Sequence, residues 1–455
     1  MSFALFTALE RIFFVRAEKG QWKISLPPSI SIEEKLKGRY PLEATQILQG
    51  LSSSNSIAHA IASTYALEDY LKINAGKEDK FRQILLLLSF LHAHLFNFYH
   101  KIFPLYGFHG SLQSSRFFPG FPKINKRISS QTLSQKDTET ILSHFSELAS
   151  VLSSIQYCIA KFGGKFPVVM NLFPGGVSND LSSLKYLSKV IHKLGLCKDF
   201  IEKTYPEDVK LLIKSFPSLQ EGLNSSNGYF SVGFSNLPST ERKQNFYTSG
   251  AFLENKLEPF DTKKVTRFTF ESEESFFTGD VVGARYHEEP MYTGPLARMM
   301  TAYQAGVYPE VSEALISLID ALGLPLEKPY SFASRAFAEV YETRLLLKEL
   351  FQLLLDNSFS FENRKKEFSF DRNGDGEGRV ESPTGAIIHK VKIKDGVIEN
   401  YEVVSPSNWN LSPKDQFNRK SIVESELDQY SGSLDENKIF QILASYSAHS
   451  MEFVR

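Results

Sequence analysis

From Gln83 to His100 the chain carries no formally charged side chain, a run close to the length that crosses a bilayer as a helix. Gln83, Ser89, His92, His94, Asn97 and His100 recur through it, and that many polar groups are costly in lipid. The run therefore reads as a core helix enclosed by protein, with no direct membrane span. A fold that surrounds such a helix needs a large apolar supply, and 455 residues with 42% hydrophobic content provide it. The three histidines do not share a ligating face, because His92 and His94 are two residues apart and His94 and His100 six. They read as core histidines satisfied by hydrogen bonds.

Composition narrows the function. With 51 basic against 52 acidic residues, the chain has no electrostatic footprint for nucleic acid. Its 38 phenylalanines point to bulky packing or an extensive buried interface. Only Cys158 and Cys197 are present. Cys158 lies in an amphipathic helical pattern and Cys197 beside Leu196, so both read as buried thiols, and two isolated cysteines cannot hold an iron-sulfur cluster unaided. Met1 to Leu9 is apolar but lacks a basic leader and meets Glu10-Arg11 too early for a secretory signal.

Helices are expected to dominate, with strands in small peripheral units, an α+β chain that is predominantly helical. Ile57 to Lys72 reads as a helix with Ser52-Ser53-Ser54-Asn55 supplying N-cap side chains. Ser134 to Asp137 opens another, whose Ile141, Phe145, Leu148, Leu152, Ile155 and Ile159 keep a helical period until Gly163-Gly164. Further helices are expected from Asn179 to about Leu194, from Pro309 to Leu322 with Gly323 as the stop, and from Ser331 to Asp356. Tyr229 to Phe234 and Val265 to Phe270 alternate as strands do, and Asp395-Gly396 between Ile387–Lys394 and Val397–Val404 signals a hairpin. Tyr106 to Gln131 and Asn363 to Gly378 are candidate flexible segments. Asp371-x-Asn373-x-Asp375-Gly376 mimics half a calcium loop, but Ser382 stands where the bidentate glutamate belongs, so a polar turn before a strand is the reading. There is no internal repeat.

Several blocks, taken in order, carry a family resemblance. They are Gly38-Arg39-Tyr40-Pro41 with His59 and its helix; Phe162-Gly163-Gly164-Lys165-Phe166-Pro167 with Asn171 and Pro174-Gly175-Gly176-Val177; and Gly283-Ala284-Arg285-Tyr286 with Gly294-Pro295-Leu296-Ala297-Arg298-Met299. Glu377 to Gly385 and Ser405-Pro406-Ser407-Asn408-Trp409-Asn410 with Pro413-Lys414-Asp415 complete the set. Together they resemble the large subunit of nickel-iron hydrogenases over nearly the whole chain. The resemblance implies one hydrogenase-large-subunit-like domain, 1–455, with an elongated helical core and peripheral β-hairpins. Ala93-His94 and Phe98-Tyr99-His100 also resemble a core helix of that family.

The departures concern the metal site. Where the family has C-x-x-C-x-x-x-H, this chain has Ser52 and Asn55 before His59. Thr384 stands at the arginine of A-P-R-G, Ala284 at a proline, and Phe166 and Val168 where histidines are common. His449-Ser450-Met451-Glu452-Phe453 resembles the start of the second cysteine segment, with Val454 at its first cysteine. A nickel-iron centre needs soft, bridging thiolates, which serine and asparagine oxygens do not replace. Ser52, Asn55, His59, Thr384, Asn408 and Val454 are thus expected to be vestigial metal-site positions, with no catalytic residue, metal or cofactor in this chain. The resemblance implies an iron-sulfur small subunit as partner, its clusters in that subunit, and a place in a larger redox assembly. Two classes follow. One is a catalytically inert large subunit that supports electron transfer or assembly. The other is a redox subunit whose emptied cavity takes a quinone or another small molecule, as a resemblance to the quinone-binding subunit of respiratory complex I suggests, although Gly294–Met299 and Ser405–Asn410 look more like hydrogenase. Localisation stays open between a cytoplasmic home, from the lack of a signal, and export as a passenger of the small subunit.

Overall fold

The helix expected from the uncharged run exists and extends beyond it. The computed structural model describes residues 12–18, 21–25, 32–51, 54–73, 76, 79–117, 132–178, 184–221, 228–234, 248–271, 280–323, 330–355, 368–412, 414–429, 442–443, 445–446 and 450–452. Within them, helix α1 spans Ser56–Leu71 and α2 spans Asp79–Phe96. The chain continues through a π-helical turn at Asn97–Ile102 and a last α turn at Phe103–Tyr106. Asp79–Tyr106 is long and apolar enough to cross a membrane, but 83% of its apolar window is buried inside the protein. Leu-rich sequence without glycine or proline favours the helix, and Leu85, Leu88, Leu91 and Leu95 are fully enclosed.

The helices packed around it follow their local signals. Ser134 caps α3 (Gln135–Ser143) by accepting the Asp137 backbone N–H at 3.0 Å. The single helix expected from Ser134 to Gly163 is instead broken at His144, whose side chain hydrogen-bonds Asp208 at 2.9 Å, and α4 begins at Phe145 and ends at Gly163. Gly164, at φ +80°, closes α4 in the left-handed conformation that glycine favours. Helix α5 covers Leu184–Gly195; its expected cap, Asn179, lies outside the described residues. Then come α6 (Pro295–Ala305), α7 (Pro309–Leu322, stopped by Gly323 at φ +64°) and α8 (Phe332–Leu355), which pack on one another. Both α4 and α8 lie against α2.

Strands form small sheets at the periphery. Ile12–Glu18 pairs antiparallel with Gln21–Ser25 and parallel with Ser450–Glu452. Gly228–Ser231, the observed part of the expected Tyr229–Phe234 strand, joins Gly250–Leu253 and Lys256–Glu258; Val265–Glu271 pairs with Asp280–Tyr286. The sheet that matters for the site has three antiparallel strands, β1 (Gly374–Ser382), β2 (Gly385–Lys394) and β3 (Val397–Val404). Asp395 and Gly396 turn β2 into β3 with φ of +51° and +80°, as a two-residue hairpin of the I′ kind requires.

Two expectations of flexibility need correction. His109–Ser114, within the Tyr106–Gln131 segment, is a short helix. Gly374–Gly378, the end of the Asn363–Gly378 segment, belongs to β1, and its glycines serve close packing. A Cβ built on Gly376 would lie 2.1 Å from the Ala66 carbonyl oxygen, and one on Gly378 2.0 Å from that of Ala62. Both clashes are with the backbone of α1, so glycine at alternate positions lets strand and helix meet face to face. The rest of those two segments at 118–131 and 363–367 lies outside the described residues.

Candidate functional site

The contact between α1 and the β1–β2 hairpin brings the resemblance-derived positions together. Asn55 immediately precedes α1, and Thr384 sits in the turn between β1 and β2. Asn55 Nδ2 donates to Thr384 Oγ1 at 2.8 Å. The expected capping role is not taken up, for the Asn55 side chain makes no cap hydrogen bond to the helix. Among the described residues its Oδ1 is buried with no partner, and the residue as a whole is 6% exposed. An unsatisfied buried acceptor costs about 1–3 kcal/mol. The latch thus couples two elements far apart in sequence while leaving one oxygen unmatched.

One turn along α1, the His59 ring takes a separate path. Its Nδ1 is 3.0 Å from His389 Nε2 on β2, and His389 Nδ1 is 3.1 Å from the Tyr401 hydroxyl on β3. All three side chains are buried. Burial, and then the neighbouring His59, hold His389 well below the usual histidine pKa, so its imidazole is neutral at physiological pH. Asn408 is placed elsewhere. It lies on α9 (Pro406–Asn410), where its Oδ1 accepts the Ser405 backbone N–H at 2.7 Å and its Nδ2 donates to the Val282 carbonyl at 2.7 Å. Helix α9 packs against the hairpin, and Thr293 ties the two: Asn410 grips the Thr293 backbone from both sides, at 3.1 and 2.8 Å, and the Thr293 hydroxyl accepts the Ala386 N–H. Ser52 and Val454 lie outside the described residues.

Sequence reasoning missed the buried ionic network beside this hairpin. Arg298 on α6 clamps Glu342 on α8 with Nε and Nη2 at 2.8 and 2.7 Å, and reaches Glu381 on β1 with Nη1 at 2.9 Å. It also donates to the carbonyls of Ser382 and Pro383, the residues leading into Thr384. Glu342 in turn bonds His94 Nε2 at 2.7 Å, and Glu381 accepts the Val232 N–H. Burial opposes ionisation of Glu342, but the charge and hydrogen bonds of Arg298, with the bond from His94, outweigh it and bring the carboxyl down to about 2. For Glu381 burial prevails, and its pKa is raised despite Arg298. The one clue in the sequence was polar side chains inside apolar helices: His94 in α2, and Arg298 and Glu342 on faces that otherwise read as core.

The stretch from Phe162 to Val177 is also fixed by specific bonds. Gln49 pairs with the Val169 backbone in both directions, at 2.7 and 2.9 Å, and Arg82 donates to the carbonyls of Phe173 and Gly176 while paired with Glu68. That rigid segment presents Met170 at 64% exposure.

The donors among the described residues do not suit a nickel-iron centre. Among the described residues no group of three or more His, Cys, Asp or Glu side chains is disposed to hold a metal ion. The amide oxygen of Asn55 and the hydroxyl of Thr384 are hard, neutral ligands, and the His59 nitrogen facing His389 is already engaged. Cys158 and Cys197 are buried elsewhere, and burial pushes their thiols up to about 12 and about 11, which keeps them protonated.

The fold is that of hydrogenase large subunits. It superposes on the as-isolated, oxidised Ni-Fe-Se hydrogenase from D. vulgaris Hildenborough with a TM-score of 0.79 and 22% identity, covering 95% of this chain and 94% of that one. Anaerobically purified Dm. baculatum NiFeSe hydrogenase gives a TM-score of 0.78 at 21% identity, over 95% and 94%. In sequence the chain is 22% identical over 436 residues to the periplasmic NiFeSe hydrogenase large subunit of Desulfomicrobium baculatum, spanning 87% of this chain and 81% of that protein. It is 24% identical over 490 residues to the quinone-reactive Ni/Fe-hydrogenase large chain of Wolinella succinogenes, spanning 87% and 84%. Residues 31–102, 128–282 and 281–443 match the nickel-dependent hydrogenase family, and the chain belongs to it.

Proposed function

We propose that this chain is a hydrogenase-family large subunit without hydrogen chemistry of its own, pairing with an iron-sulfur small subunit and supporting electron transfer or the assembly of a redox complex. The observation that carries the reading is the Asn55–Thr384 hydrogen bond. It ties together two positions where the family resemblance calls for a thiolate and an arginine, and it offers a metal only hard, neutral oxygens. What is kept supports a scaffold: the Arg298 network, the clamped Phe162–Val177 segment and the α1–β1 seat all serve shape. A partner whose clusters are covered by such a body gains a drier, less polar setting, which tunes their potentials. The quinone-site alternative calls for access to the old cavity, whereas Asn55, His59 and Thr384 are 6%, 1% and 9% exposed.

The test is to purify the protein from its natural source with its partners. The reading expects no stoichiometric nickel, no infrared bands from iron-bound cyanide or carbon monoxide, no hydrogen-deuterium exchange activity, and a heterodimer or larger assembly by native mass spectrometry with iron and sulfide in the partner. Nickel near one equivalent together with those bands would sink the inert-site half. A monodisperse monomer without an iron-sulfur protein would sink the other.

A further inference from the structure

Between α4 and α5 lies a groove of about 420 Å³, lined by Glu147, Ser150, Ser154, Lys193, Leu196 and Cys197. Tyr186, Lys189, Lys193 and Leu196 are spaced by three, four and three residues, so they fall along one side of α5 and its end. Tyr186 and Leu196 are 46% and 59% exposed. On α4, Tyr157 and Lys161 are one turn apart, and the two helices interleave there. Lys161 Nζ lies 5.5 Å from the Tyr157 ring centre and 5.2 Å from that of Tyr186, while Lys189 Nζ lies 5.3 Å from Tyr157.

Two ammonium groups thus share one phenol ring, and a third belongs to Lys193 in the groove. Among the described residues none of these lysines forms an ion pair. Several lysines elsewhere pair with a carboxylate, as at Lys348–Glu310, Lys392–Glu399 and Lys264–Glu258, whereas these three stand together along one stripe without one. Like charges held this close repel each other in the free protein, and incoming carboxylates relieve that repulsion.

We propose that the α4–α5 groove, together with the lysine stripe that runs out of it along α5, is a docking site for an acidic segment of a partner protein. Carboxylates of the segment meet Lys161, Lys189 and Lys193, and an apolar side chain beside them packs on Leu196 and the Tyr186 ring. From Tyr186 to Leu196 the stripe is about 15 Å long at the helical rise, enough for an extended segment of about five residues. Nucleic acid fits less well: the whole chain has a net charge of −1, which attracts no long polyanion from a distance, and the exposed aliphatic Leu196 suits an apolar side chain rather than a phosphate backbone. This inference does not depend on the loss of hydrogen chemistry.

The test uses the full chain in the complex in which it is purified, with a fluorescein-labelled peptide of alternating Glu and Leu read by fluorescence anisotropy. Saturable binding is expected, weakened roughly tenfold or more by K161E/K189E, weakened also by added salt, and unchanged by K348E, which alters a lysine already paired with Glu310. Where a copurified chain already fills the groove, carbodiimide cross-links should join Lys161, Lys189 or Lys193 to its carboxylates, and K161E/K189E should abolish them. Absence of both peptide binding and such cross-links overturns the proposal. So does equal loss in K348E, or an oligonucleotide of the same charge binding as well as the peptide.

Discussion

Replacing Gly378 with alanine tests how the site is assembled. The new Cβ would stand 2.0 Å from the Ala62 carbonyl oxygen and 2.5 Å from the Ala66 nitrogen, where ordinary contact begins at 3.4 Å. The shortfall, 3.4 minus 2.0, is about 1.4 Å, and because both atoms are backbone no rotamer change relieves it. Strand β1 has to back away from α1. A radial gap of roughly 0.5–1 Å already forfeits a quarter to a half of each dispersion contact, and overpacking costs about 1–3 kcal/mol or more. We therefore expect a loss of about 3 kcal/mol, with the Asn55–Thr384 bond stretched beyond hydrogen-bonding range. Gly374→Ala on the same strand is the control, since its Cβ would meet only the Tyr70 ring at 3.5 Å, an ordinary contact. Urea unfolding followed by tryptophan fluorescence compares the two, with the buried Trp409 as an internal probe. If Gly378→Ala falls within about 0.5 kcal/mol of Gly374→Ala, α1 is not seated on β1 as described, and the placement of Asn55 against Thr384 falls with it.

Removing either side of the latch should cost little: Asn55→Ala and Thr384→Val are each expected to lower stability by about 1–2 kcal/mol and to be non-additive in a double-mutant cycle. Electron transfer through the partner should persist in Thr384→Val and in His59→Ala; a drop of about thirtyfold in rate, roughly 2 kcal/mol, without unfolding would overturn the scaffold reading. Arg298→Met, which strands Glu342 and Glu381 in the interior, should cost about 3–5 kcal/mol, measured as a shift in the urea midpoint; a change under about 1 kcal/mol would show that the carboxylates re-pair or reach water. Acid should destabilise the protein through His92 and His100, both brought down to about 4 chiefly by burial. Their folded pKa values lie below the unfolded value of 6.5, so their contribution is complete above pH 6.5 and is lost as pH falls towards 4, by up to roughly 3 kcal/mol each. His92→Gln should flatten part of that decline, and an unchanged slope would refute the assignment.

Local chemistry makes much of this protein legible in its sequence. The Pro309–Leu322 helix with Gly323 beyond it, the Ser134 cap and the Asp395-Gly396 turn each depend on neighbours within a few residues, and each formed as read. The uncharged run from Gln83 to His100 announced a central helix because its polar residues were too many for lipid and too few for a surface. Family blocks were visible as strings, although their physical role was not. Arg285 of one block pairs with Asp415 of another at 3.1 Å, and Arg298 with Glu381 at 2.9 Å, across separations of 130 and 83 residues. Some of the blocks thus hold the two halves of a buried ion pair, and a string cannot say which half meets which.

Tertiary structure alone decided the rest. Asn55 read as a helix cap because that bond is local, worth about 1 kcal/mol, and needs nothing distant. The fold instead sets Thr384, 329 residues away, within 2.8 Å of it. The glycines of β1 read as slack because composition reports only conformational freedom, whereas the strand needs them for the opposite purpose, to let two backbones touch. His389 and Tyr401 gave no sign of being partners of His59, since their meeting depends on the register of two strands against one helix. Propensity, capping and turn formation are short-range properties carried by the chain itself, while burial and pairing belong to surfaces that exist only once the chain has folded.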